Sequence, residues 1–475
     1  MNDLVINIKK VMLVFLILFI ALISYITYIY MFSSEKAVSS TFNHRLWAER
    51  NKVLRGTIYD KDMTALTKST KINDVSQKEK YLQGEVFAHA VGYMNPVYGL
   101  AGLEKKYDAE LMGSGDAEVL KFFNFNKKEE EEKVGNGLRT TLDSKLQKKA
   151  FDLLGNKRGA VVAMNPKTGE ILAMVSKPSY DPNSLDKNWK AIKGNKDSPL
   201  LNRAVSGLYP PGSIFKTITA ISALENIPNV ANKGFVDNGT LVFNQTTSLK
   251  NYDGEVMGNI DFRDAYLHSS NVVFGSLGID LGNNALKDTA EKFYFNKDIP
   301  AIGLTIDHSR FPNYKSNEKG NIAQSAIGQA EVLATPMEMA LVAGTVANDG
   351  IMMQPMMVKE ILSSKGKSLK KIEPKQLGEV MTKDNAKIMK DLMKGVVSEG
   401  TGVNAAISGI TVCGKTGTAD HKGDASKQTA PHSWFISFAP YENPQIAIAV
   451  IVEEGGVGGG IAAQITRELI KTYLQ

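Results

Sequence analysis

The segment Tyr209-Pro210-Pro211-Gly212-Ser213-Ile214-Phe215-Lys216 gathers residue types that acyl transfer requires. Two prolines and a glycine make a stiff turn, and an apolar helical pattern follows directly. Ser213 and Lys216 are three apart, so on a helix they share one face and their side chains can meet. A serine hydroxyl is a poor nucleophile at neutral pH and needs a nearby base. A lysine amine serves once burial and neighbouring charge depress its pKa. Free backbone N–H groups at the helix start can stabilise developing negative charge. Ser-x-x-Lys alone is a poor signal. The chain also carries it at Ser33/Lys36, Ser184/Lys187, Ser316/Lys319, Ser364/Lys367 and Ser368/Lys371, in polar contexts that suit solvent-facing pairs.

Two further groups complete a candidate site. His268-Ser269-Ser270-Asn271 leads into an apolar run, and Ser269 and Asn271 place a hydroxyl and an amide two residues apart. They could relay a proton and hold a lysine amine or a substrate amide. The plainer reading is a helix cap, which Ser and Asn favour, with His268 as a structural neighbour. Farther on, Ile410 to Ala419 reads as a strand interrupted by Lys415-Thr416-Gly417-Thr418. Glycine on either side of Lys415 lets a ligand or another chain approach the backbone. The lysine charge and threonine hydroxyls suit a carboxylate. A second Lys-Thr-Gly, Lys167 to Gly169, follows Asn165-Pro166 and reads as turn chemistry. Cys413 reads as a small core residue.

The elements that must position these groups are strands at both ends of one region with helices between. Ala160–Met164, a turn, and Glu170–Val175 form a hairpin signal; Ser433–Phe438 and Ile446–Val452 read as two more strands, before a helical tail from Ala462 to Leu474. This pattern predicts an α+β domain whose sheet joins distant parts of the chain. The 475 residues suit two or three domains, and 43% hydrophobic with 22% charged residues can build a sizeable core. A net charge of +6 is too dilute to indicate nucleic acid. One cysteine excludes an internal disulfide, and six histidines without an HExxH pair give no metal signature.

Val11 to Phe32 carries no charge. At about 1.5 Å per residue, such a helix is long enough for a bilayer core. The expectation is an uncleaved anchor; a signal peptide cleaved after Ala37-Val38-Ser39 is the rival. Lys9 and Lys10 precede the span while Lys36, Arg45, Arg50 and Lys52 follow, so local charge does not set its orientation. The charge run Lys127 to Lys133 reads as a solvated linker near a domain edge. The expected division is a tail at 1–10, an anchor at 11–32, a smaller mixed domain at 33–157 and the α+β domain at 158–475.

Ser-x-x-Lys, Ser-x-Asn and Lys-Thr-Gly in this order mark penicillin-binding proteins and class A β-lactamases. The chain resembles a class B penicillin-binding protein of the short-pedestal, division-associated type. Arg55-Gly56-Thr57-Ile58-Tyr59-Asp60 resembles the family's motif after the anchor, and Gly99-Leu100-Ala101-Gly102-Leu103-Glu104 with Tyr107-Asp108 its pedestal signature. Thr140-Thr141-Leu142-Asp143, Ala326-Ile327-Gly328-Gln329, Thr335-Pro336 and Asn348-Asp349-Gly350 match farther stretches. Ile214 stands where the family often has Thr.

The resemblance implies a transmembrane helix, a small pedestal, and a transpeptidase domain with a central antiparallel sheet flanked by helices. It implies a peptidoglycan D,D-transpeptidase inhibited by β-lactams, with Ser213 attacking a D-Ala-D-Ala stem peptide and Lys216 taking its proton. Ser269 would pass a proton to the leaving amine, and Asn271 would orient Lys216 and the substrate amide. Lys415, Thr416 and Thr418 would hold the substrate carboxylate beside Gly417, with an oxyanion hole at the N–H groups of Ser213 and Thr418. It implies no metal or organic cofactor and no nucleic acid. It does imply an extracytoplasmic catalytic domain and a multi-pass membrane glycosyltransferase partner. Three rivals stand: a β-lactamase, which lacks a convincing Glu-x-x-x-Asn segment here; a non-catalytic receptor; and an α/β-hydrolase, which would need a Gly-x-Ser-x-Gly elbow.

Overall fold

The computed structural model describes residues 2–28, 47, 50–73, 76–113, 133–420 and 429–475. The end of the expected span at 29–32, Ala37-Val38-Ser39 and residues 127–132 of the charge run lie outside the described residues. Helix α1 (Asn2–Tyr28) keeps its side chains from Ile6 onward exposed. Within Ile6–Tyr28 an 18-residue stretch reaches a mean hydropathy of 2.6, and among the described residues α1 is the one helix long and apolar enough to cross a membrane.

The pedestal motifs meet around one buried cation. Arg55 donates from Nε to Glu104 Oε2 at 2.6 Å, from Nη2 to the Glu104 carbonyl at 2.7 Å, and from Nη1 to Asp108 at 2.7 Å. Charge-assisted hydrogen bonds on all three of its nitrogens are what let this guanidinium be buried. Strands Ile58–Tyr59 and Gly137–Thr140 join Val358–Leu362 and Ser368–Lys371 in one four-stranded sheet. The pedestal is therefore hydrogen-bonded to chain that lies far along the sequence.

The larger sheet has five antiparallel strands: β1 (Gly159–Met164), β2 (Ile171–Lys177), β3 (Cys413–Ala419), β4 (His432–Ala439) and β5 (Ile446–Val452). Their spatial order is β3-β4-β5-β1-β2, so sequence-distant strands meet at the β5–β1 seam. Both faces are apolar, because strand residues alternate between two cores. Ala160, Val162, Trp434, Ile436, Ala449 and Ile451 belong to one core; Val161, Ala163, Phe435, Ile448 and Val450 belong to the other. Helices α2 (Ser144–Leu154) and α7 (Ile461–Leu474) cover the second face. The buried helix α5 (Pro336–Ala347) covers the first together with α6 (Lys383–Ser398), which packs on β3, and α3 (Lys216–Asn226) packs on α6 and on α4 (Asn271–Lys292).

The expected hairpin, the two late strands and the helical tail are all present. The strand expected from Ile410 begins only at Cys413, and it runs unbroken through Lys415-Thr416-Gly417-Thr418. Ile410 instead bridges to Ile407. An apolar run does not distinguish a strand from the turn that leads into it.

Candidate active site

The turn before α3 is wedged between two neighbours. The Gly212 N–H donates to the Gly328 carbonyl at 2.9 Å. Gly212 has φ +56°, and a Cβ there would lie 2.5 Å from the Thr418 carbonyl oxygen. At Gly328 (φ +74°) a Cβ would lie 2.2 Å from the Gly212 carbonyl oxygen. Only glycine allows both approaches, and they pin Ser213 beside β3. Residues Gly212–Phe215 form a 3₁₀ turn, and α3 starts at Lys216. In 3₁₀ geometry residues i and i+3 eclipse, which aligns Ser213 with Lys216. Ser213 is half-buried and faces the cleft, while Lys216 is fully buried. Lys187, Lys319, Lys367 and Lys371 of the other described Ser-x-x-Lys pairs are all exposed.

The Lys216 amine donates to the Ser269 carbonyl at 2.6 Å and to Asn271 Oδ1 at 2.7 Å, and lies 3.1 Å from Ser269 Oγ. Burial and the nearby Lys415 charge push its pKa well below the ordinary lysine value, against an opposing pull from Asp237. A neutral amine has two hydrogens and one lone pair. The two pure acceptors take both hydrogens, which leaves the lone pair free to accept a proton.

Ser269, Ser270 and Asn271 divide the work of their turn. Ser270 is the N-cap of α4: its Oγ accepts from the Val273 N–H at 3.0 Å and donates to Asp237 Oδ2 at 2.5 Å. The middle residue thus takes the capping role. Ser269, at φ +61°, and Asn271 keep their side chains for the site. Asn271 Nδ2 donates to the Lys250 carbonyl at 2.8 Å, which fixes its Oδ1 towards Lys216.

Lys415 reaches across from β3 and donates to Ser269 Oγ at 2.9 Å. Burial lowers its pKa to about 7. Thr416 Oγ1 pairs with Thr401 Oγ1 at 2.7 Å, and Thr418 Oγ1 accepts from the Gly458 N–H at 3.1 Å. Gly417 lies against the turn that carries Ser213, since a Cβ there would meet Ile214 and the Pro211 carbonyl at 2.9 Å. A cleft of about 610 Å³ opens over Ser213, Ser269, Asn271, Thr401, Thr416 and Thr418. The Ser213 hydroxyl and the edge of β3 face one space, and two buried amines with depressed pKa values lie behind it against Ser269. That arrangement suits attack on a carbonyl held along the strand edge.

Residues 159–471 match the penicillin binding protein transpeptidase domain family, and residues 55–136 match the penicillin binding protein A dimerisation domain. This chain belongs to the penicillin-binding protein transpeptidases. It is a class B penicillin-binding protein and a serine-type D,D-transpeptidase. It is similar to the peptidoglycan D,D-transpeptidase PbpA of Mycolicibacterium smegmatis, 34% identical over 83% of this chain and 84% of that protein. The penicillin G acyl-enzyme complex of penicillin-binding protein A from M. tuberculosis has a TM-score of 0.81 and 32% identity. That likeness covers 89% of this chain and 100% of the other. The D,D-transpeptidase domain from Eggerthella lenta has a TM-score of 0.79 and 33% identity, over 89% of this chain and 98% of that one.

All eight residues expected for the site of this transpeptidase lie together at one end of β3. Three residues beside them escaped sequence reasoning. Thr401 sits on Thr416, and Asp237 and Asn251 lie beneath the Ser269–Asn271 turn. The last two come from a polar hairpin region whose residue types look like ordinary turn chemistry.

Proposed function

We propose that this penicillin-binding protein cross-links peptidoglycan stem peptides through an acyl-enzyme on Ser213. Lys216 takes the Ser213 proton as the oxygen attacks the carbonyl of a D-Ala-D-Ala terminus. The acyl–oxygen bond forms, the peptide bond breaks, and the proton passes through Ser269 to the departing D-Ala amine. Asn271 orients Lys216 and the substrate amide. Lys415, Thr416 and Thr418 hold the substrate carboxylate along Gly417, and the N–H groups of Ser213 and Thr418 receive the oxyanion. An amine of a second stem peptide resolves the ester. β-Lactams acylate the same hydroxyl.

The observation that carries this reading is the buried Lys216 amine, with both acceptors of its hydrogens beside it and its pKa pushed down. Incubating the full chain with a synthetic stem pentapeptide tests it. Release of free D-alanine, lost in Ser213→Ala, is expected; release undiminished in that variant would contradict it.

The cellular setting extends the same proposal. Residues 1–10 form a cytoplasmic tail, 11–32 a single-pass anchor, 33–157 the pedestal and 158–475 an extracytoplasmic transpeptidase domain. The exposed apolar α1 supports the anchor, and a substrate outside the cytoplasm supports the orientation. The partner is a multi-pass membrane glycosyltransferase that touches anchor and pedestal, and the setting is cell division. Protease protection of the catalytic domain in sealed right-side-out vesicles would contradict the orientation.

A further inference from the structure

Beneath the Ser269–Asn271 turn lies a carboxylate with no assigned role in the reaction. Asp237 is fully buried at the end of strand Gly234–Asp237. Asn251 Nδ2 donates to both of its oxygens at 2.8 Å, Ser270 Oγ to Oδ2 at 2.5 Å, and the Gly239 N–H to Oδ1 at 2.8 Å. Every one of these partners is neutral.

The same groups lead directly to the site. Asn251 Oδ1 accepts from the Asn271 N–H at 2.8 Å and the Val272 N–H at 3.1 Å, the first turn of α4. Asp237 therefore grips the turn twice: at Ser270 directly, and at Asn271 through Asn251. We propose that Asp237 is a positioning residue of the transpeptidase reaction, fixing the Ser269–Asn271 turn and setting, through its buried negative charge, the proton affinity of Lys216.

The argument for the charge is one of cost. A buried carboxylate without a cationic partner is expensive, and the donors that meet both Asp237 oxygens satisfy its hydrogen bonds without neutralising its charge. An ionised group is justified if its field acts on the buried amines above it. Two lie there, Lys216 and Lys415, and they repel one another. The Asp237 charge opposes that repulsion and the burial of Lys216, pulling the amine back towards protonation. A base pushed too low would be a poor proton acceptor, so a counterweight is useful. The other charged or titratable groups around the amine are Tyr266, whose ring lies 5.6 Å from Lys415 Nζ, and the exposed Lys250, Tyr252, Glu255, His268 and Asp420 lining the cleft.

The inference rests on Ser213 as nucleophile and Lys216 as its base. The test is the pH profile of the second-order rate of acylation by a fluorescent penicillin. It uses the full-length chain in detergent and counts only adduct mapped to Ser213. Wild type, Asp237→Asn and Asp237→Ser are compared, each with its melting temperature. Loss of the negative charge is expected to move the acidic limb down by about one pH unit in whichever neutral variant folds. An acidic limb at the wild-type position, with or without a slower rate, overturns the proposal. So does failure of both neutral variants to fold, which would make Asp237 structural only. Ser213→Ala separates the two claims. If that variant still labels at the wild-type rate, the reading of Ser213 as nucleophile fails, whatever the Asp237 variants do.

Discussion

Lys216 and Lys415 point their amines at one oxygen, Ser269 Oγ, from 3.1 and 2.9 Å, and both are fully buried. Two ammonium groups cannot share such a site without a large cost: burial disfavours protonation of both, and the Lys415 charge disfavours that of Lys216 further. Acylation at Ser213 needs them in different states. Lys216 must be neutral to accept a proton, and Lys415 must be charged to hold a carboxylate.

A bell-shaped pH profile follows for acylation by a fluorescent penicillin. The rate rises as Lys216 loses its proton, at a pH well below the ordinary lysine range. It falls as Lys415 loses its own, within about a pH unit of 7. A rate that climbs steadily to pH 10 would contradict this division.

Replacing Asn271 by Asp places a carboxylate where an amide oxygen now accepts from Lys216. The pair would hold the amine protonated. The acidic limb should move up by about 1–3 pH units, opposite in direction to removal of the Asp237 charge. Stopped-flow acylation across pH reads both shifts.

Lys415 also bears on stability. Its folded pKa of about 7 lies below the unfolded value near 10.5, so the unfolded chain binds the extra proton. Stability should therefore fall as pH drops from about 10.5 to 7 and level off below. Lys415→Met should raise stability by about 1 kcal/mol or more at neutral pH while abolishing substrate capture. Thermal unfolding at pH 7 and pH 10 checks the sign, and the gain should shrink at the higher pH.

Ser270→Ala removes the N-cap of α4 and one donor to buried Asp237. A loss of about 1–3 kcal/mol is expected in denaturant unfolding, with acylation slowed but still at Ser213. Gly328→Ala should cost a similar amount, because its Cβ would overlap the Gly212 carbonyl and push the nucleophile turn off β3.

Much of this was legible from residue types. Ser213 and Lys216 stood out because a rigid Pro-Pro-Gly turn met an apolar helix, and Lys415 because glycines flank it in a strand. The Ser269-Ser270-Asn271 triplet was ambiguous between cap and catalysis. The fold gives the cap to Ser270 and leaves the Ser269 and Asn271 side chains on Lys216, a division that spacing cannot express because it depends on the positive φ of Ser269. Asp237 and Asn251 left no signal. They sit 34 and 20 residues before Asn271 in a polar stretch, and only the hairpin pairing of Gly234–Asp237 with Gly258–Asp261 brings that stretch beneath α4. The start of β3 was misplaced for a similar reason, since Ile410 is apolar for a turn contact rather than for the sheet.

The central claim is that Ser213 carries the acyl group. Peptide mapping by mass spectrometry of the full-length chain after reaction with penicillin tests it most directly. One persistent adduct on the peptide containing Ser213, lost in Ser213→Ala, is the result predicted. An adduct on any other residue, or one retained in that variant, would contradict the account.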